Sequence, residues 1–113
     1  MKISDAEIAT VVREAADAID TFGWNQGSAG NEGIGFCALG AIYHVSHRHH
    51  SLELFQNSVA HVAISRFNRW MRENEFLGPT KSIGDWNDFQ CKSPEEVTLY
   101  LRKFADERGP QCE

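Results

Sequence analysis

The sequence predicts an all-α protein, a single small domain over residues 1–113 with about four main helices. Apolar residues recur at helical spacing in several segments, two capping boxes mark helix starts, and no segment alternates convincingly as a strand does. With 113 residues, of which 42% are hydrophobic, the chain is long enough to bury one core without disulfides or metal. We also expect a glycine-rich loop after the first helix and a Trp-Asn-Asp loop before the last.

The first helix is predicted over residues 4–22. Ser4 and Glu7 form a capping box, in which the serine oxygen accepts from a free amide of the first turn and Glu7 reaches back to the serine N–H. Apolar residues then recur with a helical period as far as Phe22, and Gly23 ends the helix. Residues 23–35 contain five glycines and no period, which predicts a loop.

A second helix is predicted for the segment that opens at Phe36. Gly40 inside it costs about 1 kcal/mol relative to alanine, so we expect a packing reason for this glycine. Residues 44–50 carry four of the five histidines and are expected to turn the chain into a third helix over residues 52–73.

The last helix has the clearest start in the sequence. Gly78-Pro79 breaks the chain, and residues 82–91 have turn composition around a tryptophan. Ser93, Pro94 and Glu96 then supply an N-cap, a first-turn proline and a second capping box, and the helix is expected to end near residue 109.

Composition limits the classes of function. The net charge of −5 disfavours non-specific binding to nucleic acid or to an anionic membrane, so a protein partner or a small molecule is expected. No secretory signal or run of about 18 apolar residues is present. The three cysteines are odd in number and form no C-x-x-C pair, which is typical of a reducing cytoplasm. We therefore predict a cytoplasmic protein without a cofactor.

Three motifs resemble those of a small uncharacterised family of actinobacterial and actinophage proteins, a domain of unknown function. They are Trp24-Asn25-Gln26-Gly27, then Phe36-Cys37-Ala38-Leu39-Gly40-Ala41-Ile42, then Trp86-Asn87-Asp88, followed by the capped last helix. The resemblance spans most of the chain and implies a bacterial or phage setting. It implies no activity and no catalytic residue.

Cys37 allows two interpretations. At a helix N-terminus, unpaired amides and the helix dipole favour the thiolate, so Cys37 is a candidate nucleophile of a hydrolase or transferase, with Asp88 as a candidate catalytic partner. His44 lies about 10 Å further along a regular helix, so the base would have to come from elsewhere. The alternative, which the sequence favours, is that Cys37 packs as a small hydrophobic residue in the core.

The two tryptophan motifs supply the candidate binding residues Trp24, Asn25, Gln26, Trp86, Asn87 and Asp88. A tryptophan beside amide and carboxylate groups is a common set in binding pockets. The structural alternative is that Trp86 plugs the helix bundle while Asn87 or Asp88 closes a turn. If both loops face one side, they form one pocket for a small ligand.

Two other groups of side chains are weaker candidates. Arg66 and Arg69, three residues apart, are candidate contacts for an acidic partner, with a solvated helix face as the alternative. His44 and His47 have a spacing that suits a shared metal ion, but the sequence offers no second cluster of ligands, so no metal site is predicted.

The leading hypothesis is a non-enzymatic helical interaction module, an accessory protein of a phage or prophage that binds a host protein or itself, with a homodimer as one form. One alternative is a Cys37-dependent hydrolase or transferase. The other is a protein that binds a small ligand between the Trp24 and Trp86 loops.

Overall fold

The computed structural model describes residues 3–50 and 59–108, most of which are helical. The helices are α1 (Asp5–Phe22), α2 (Ala38–His50), α3 (Val59–Glu73), the short α4 (Ile83–Asp85) and α5 (Pro94–Arg108). One turn of π-helix, Trp86–Gln90, follows α4, and strands β1 (Gly30–Asn31) and β2 (Gly35–Phe36) pair antiparallel. The predicted all-α class is confirmed, with this two-stranded sheet as a minor addition.

Helix α1 is the central element and begins as its sequence predicts. The Glu7 N–H donates to Ser4 Oγ at 3.1 Å, and the Ser4 N–H donates to Glu7 Oε1 at 3.1 Å, so the capping box is formed. Gly23, with a φ of 105°, ends the helix. Helix α1 buries its apolar face against α2, α3 and α5. These contacts form the core that positions the loops between the helices.

Aromatic rings fill the other side of the core. The Phe67 ring lies 5.3 Å from the Phe104 ring and 6.2 Å from the Trp86 ring, measured between centroids. Trp86 is 2% exposed. Trp86 therefore lies inside the helix bundle, as the structural alternative for this tryptophan predicts.

The prediction of a turn in the histidine-rich segment is wrong, because α2 continues through this segment to His50. No glycine or proline interrupts residues 41–50, and histidine is only a moderately poor helix former. Val45 and Ser46 are buried, so packing of α2 against the core supports the helix at this point. Helix α3 ends at the predicted residue 73. Its predicted start at 52 and the end of the last helix near 109 lie outside the described residues.

The expectation of a loop without strands is also corrected, because residues 30–36 form a small hairpin. Its strands are two residues long, too short for an alternating pattern to appear in the sequence. The side-chain oxygen of Asn31 accepts from the N–H groups of Gly33 at 2.7 Å and Ile34 at 3.1 Å, which closes the turn. At Gly30, which has a φ of 87°, a Cβ atom would lie 1.9 Å from the Gly35 oxygen. Only glycine fits there.

Gly40 has the packing reason that the sequence predicts. A Cβ atom at this position would lie 2.0 Å from the carbonyl oxygen of Ala29. The glycine-rich loop therefore rests directly on the backbone of α2, and the same carbonyl accepts from the Cys37 N–H at 3.2 Å. This contact fixes the loop beside the start of α2.

In the described part of the chain, no helix combines the length and apolarity needed to cross a bilayer.

Candidate functional site

The two tryptophan loops meet although about 60 residues separate them in the sequence. The Trp24 Nε1–H donates to Asn87 Oδ1 at 2.9 Å, and Asn87 Nδ2 donates to the Asn25 carbonyl at 3.1 Å. We call this group of residues the asparagine hub and define it as Trp24, Asn25, Gln26, Asn87 and Asp88. The structure thus brings together the candidate binding residues of both loops except Trp86, which is buried in the bundle.

Asn87 lies at the centre of the hub and is fully buried. Besides the bond from Trp24, its Oδ1 accepts from the Ala38 N–H at 3.0 Å. Its Nδ2 donates to the Asn25 carbonyl and, at 3.0 Å, to Asp88 Oδ1. Both amide hydrogens and both oxygen lone pairs are therefore used. Since Ala38 is the first residue of α2, Asn87 also pairs one of the amides that a helix start leaves free.

Gln26 and Asp88 complete the hub. Gln26 Nε2 donates to the carbonyls of Asn87 at 3.1 Å and Asp88 at 3.0 Å, within the π-helical turn. Asp88 Oδ1 accepts from the Gly27 N–H at 2.9 Å. Each loop thus satisfies polar groups of the other. The two loops therefore bond directly to each other through Trp24, Gln26 and Asp88 as well as Asn87.

Cys37 is the residue just before α2, one position earlier than the predicted first turn. Its thiol is almost buried, with 7% of the residue exposed, and Sγ accepts from the Gly40 N–H at 3.2 Å. Burial raises the pKa of the Cys37 thiol above its ordinary value, and the negative charge of Asp88 adds to the rise against backbone hydrogen bonds that lower it. Near neutral pH the side chain is therefore a thiol that caps a helix.

A second region, on the other side of the glycine-rich loop, is open to solvent. It is a groove between the hairpin and the outer face of α2, which we call the α2 groove. Its lining consists of loop backbone, aromatic rings and ionisable side chains: Ala29, Gly30, Asn31, Glu32, Gly33, Phe36, Gly40, Tyr43, His44, His47 and Arg48. The sequence did not indicate this groove, because loop residues carry no period that shows which side chains face α2.

His44 lies in the wall of the groove. Its ring lies against the Phe36 ring, with centroids 4.7 Å apart and planes 30° apart, and Phe22 meets it edge-on at 6.0 Å. His44 Nε2 lies 3.4 Å from Glu32 Oε2. The two atoms are within ion-pair distance but do not have hydrogen-bond geometry, and the buried Nε2 has no hydrogen-bond partner among residues 3–50 and 59–108. Such an atom is uncommon in a folded protein.

With this geometry established, comparison with known families gives one result. The sequence model of a family of unknown function, DUF6197, matches residues 3–107. The chain belongs to this family. Comparison with curated proteins and with solved structures gives no match. The DUF6197 match covers the hub, the groove and nearly all of the described helices.

The remaining candidates of this DUF6197 protein lie outside both regions. Arg66 Nη1 lies 3.0 Å from Asp5 Oδ1, an ion pair that ties α3 to the start of α1. Arg69 is exposed on α3. Within residues 3–50 and 59–108, no three His, Cys, Asp or Glu side chains are arranged to hold a metal ion. Cys112 lies outside the described residues, as do the side chains of His49 and His50.

Proposed function

We propose that this protein is a non-enzymatic helical interaction module, an accessory protein of a phage or prophage that binds a host protein or itself. One observation carries the proposal. Hydrogen bonds of the buried Asn87 side chain hold the motif loops to each other, whereas the adjacent α2 groove presents ionisable and aromatic side chains to solvent. The motifs thus build the scaffold, and the groove is the proposed contact face. The phage setting is supported by the motif resemblance alone.

The groove has the chemistry of a protein-binding face. Tyr43, in the lining of the groove, is 38% exposed. His47 and Arg48 line the same groove and are exposed. Aromatic residues and arginine are enriched at the centres of protein interfaces, where they supply much of the binding energy.

The cysteine-enzyme hypothesis has less support. A nucleophilic cysteine needs a lowered pKa, but burial raises the pKa of Cys37, and Asp88 raises it further. The carboxylate of Asp88 is also bound to the Gly27 N–H and to Asn87.

Cys37 and Cys91 are free thiols in the described part of the chain, which supports the proposed location in a reducing cytoplasm.

Ligand binding between the Trp24 and Trp86 loops also has less support. Trp86 is buried in the bundle, and the indole N–H of Trp24 is bonded to Asn87. A ligand would have to break the contacts between the loops before it could enter.

The test is affinity capture of partners from an actinobacterial lysate by three forms of the tagged protein. These are the wild type, a groove variant (Tyr43→Ala with Arg48→Ala) and a matched control on other exposed surface (Leu99→Ala with Arg72→Ala). The wild type and the control should enrich the same protein, and the groove variant should lose it. Sedimentation equilibrium of the same three forms tests binding to itself.

Equal capture by the groove variant and the wild type would exclude the α2 groove as the contact face. A protein that captures nothing specifically and sediments as a monomer would contradict the interaction module itself.

A further inference from the structure

The unpaired nitrogen of His44 is the observation that the interaction module does not explain. Nε2 is shielded from solvent, has no hydrogen-bond partner in the described part of the chain and faces the carboxylate of Glu32 at 3.4 Å. A buried polar atom that lacks a partner carries a desolvation cost. A bound ion between the two side chains would remove that cost.

The distance between the two atoms suits a shared ion. Zinc binds histidine nitrogen and carboxylate oxygen at about 2.0–2.2 Å in tetrahedral geometry, which places two such ligand atoms about 3.4 Å apart. His44 Nε2 and Glu32 Oε2 have that separation. An ordinary hydrogen bond between them would instead be about 2.8 Å long.

We propose that His44 and Glu32, together with His47, bind a divalent transition-metal ion such as zinc in the α2 groove. His47 is one helical turn beyond His44, on the same face of α2, and lines the same groove. The described residues contain no preformed set of three ligands, so His47 has to rotate its exposed side chain toward the ion. Solvent completes the coordination, because the groove is open.

Arg48 lines the groove as well, and its charge opposes a bound cation. This residue allows a cation to be distinguished from an anion at the same place. Removing the arginine should strengthen the binding of a metal ion and weaken the binding of an anion. The proposal goes beyond the interaction module and does not depend on it, since the test needs no partner.

The experiment is calorimetric titration of the full chain with zinc chloride after treatment with a chelator and its removal. The wild type should bind one ion. Glu32→Gln changes a side chain that is 60% exposed and His47→Ala changes an exposed one, so both variants should fold. Each should weaken zinc binding about tenfold or more, since even the hydrogen-bonded neighbours of metal ligands contribute that much. Arg48→Gln should bind at least as tightly as the wild type.

Two histidine controls separate this site from general binding to histidines. His61→Ala removes an exposed histidine of α3, and His49→Ala with His50→Ala removes the last two histidines of α2. Both controls should bind zinc as the wild type does. The proposal is overturned if the wild type shows no saturable binding. It is also overturned if binding is lost in the His49/His50 variant and kept in Glu32→Gln.

Discussion

The asparagine hub and the α2 groove both adjoin the glycine-rich loop, but they differ in whether their buried polar atoms are paired. In the hub, every hydrogen-bonding group of the Asn87 side chain is paired. In the groove, the Nε2 atom of His44 is buried and makes no hydrogen bond to a described residue. A fully paired network stabilises one conformation, whereas an unpaired buried atom is a place where a ligand can gain binding energy. This contrast favours a structural role for the motif residues and makes the groove residues the candidates for binding.

The largest effect is expected from removing the centre of the hub. Asn87→Ala leaves the Trp24 indole N–H, the Ala38 N–H and the Asn25 carbonyl without their partner. Because each unpaired buried group costs roughly 1–3 kcal/mol, we expect a loss of about 3–5 kcal/mol in the free energy of unfolding. Urea denaturation followed by tryptophan fluorescence measures this loss.

Asn25→Ala is the control for that experiment. It removes a half-buried side chain whose hydrogen bonds to the described residues stay within its own loop, at Ser28. We expect its cost to stay near 1 kcal/mol, the usual value of one hydrogen bond. Similar losses in the two variants would mean that the hub does not hold the loops together.

The sequence identified the residues of the hub but not the contacts between them. Its motifs identified the residues, and turn composition placed them in loops, where an asparagine or aspartate side chain often pairs with backbone. It could not show that Trp24 and Asn87 bond to each other, because contacts between distant residues leave no local period. The one-turn π-helix that aims Asn87 inward was also absent from the prediction.

Helices were easier to predict than the groove. Capping boxes and apolar periods act locally, so the starts of α1 and α5 could be found from neighbouring residues alone. The continuation of α2 through the histidines was missed, because burial of Val45 and Ser46 overrides a weak local preference. Glu32 was missed because its role depends on how the hairpin folds onto α2.

The second prediction tests the contact between Gly40 and the Ala29 carbonyl, where the glycine-rich loop rests on α2. In Gly40→Ala, the new Cβ atom would lie 2.0 Å from the Ala29 carbonyl oxygen, part of a backbone that cannot move as a side chain does. Overpacking of this kind costs about 1–3 kcal/mol, which exceeds the gain of about 1 kcal/mol from better helix propensity. We expect a net loss of up to about 2 kcal/mol, measured by thermal and urea unfolding.

Gly84→Ala is the matched control, because Gly84 is also helical and its nearest neighbours to an added Cβ are at 3.9 Å. This variant should be as stable as the wild type or slightly more stable. If Gly40→Ala behaved in the same way, the loop would not rest on α2 as described.

The smallest expected effect is the pH dependence of the free energy of unfolding that the Cys37 thiol causes. The sign of this dependence separates a buried thiol from a catalytic thiolate. Burial raises the pKa of Cys37 in the folded chain, while the unfolded chain has the ordinary value of about 8.5. The thiol therefore favours the folded state fully below pH about 8.5, and this contribution is lost as the pH rises, because the unfolded chain ionises at a lower pH than the folded chain. Between pH 7 and pH 10, the wild type should lose stability relative to Cys37→Ser, which keeps a capping oxygen and does not titrate.

A catalytic thiolate would reverse that sign. A lowered pKa in the folded chain would make the wild type gain stability relative to Cys37→Ser as the pH rises toward 8.5. The difference between the two curves is the quantity to measure, since other groups titrate equally in both proteins. Cys91, whose pKa burial raises to about 12, is unchanged in both and contributes equally to each curve. A difference that grows with pH in favour of the wild type would restore the cysteine-enzyme hypothesis and weaken the contrast between hub and groove.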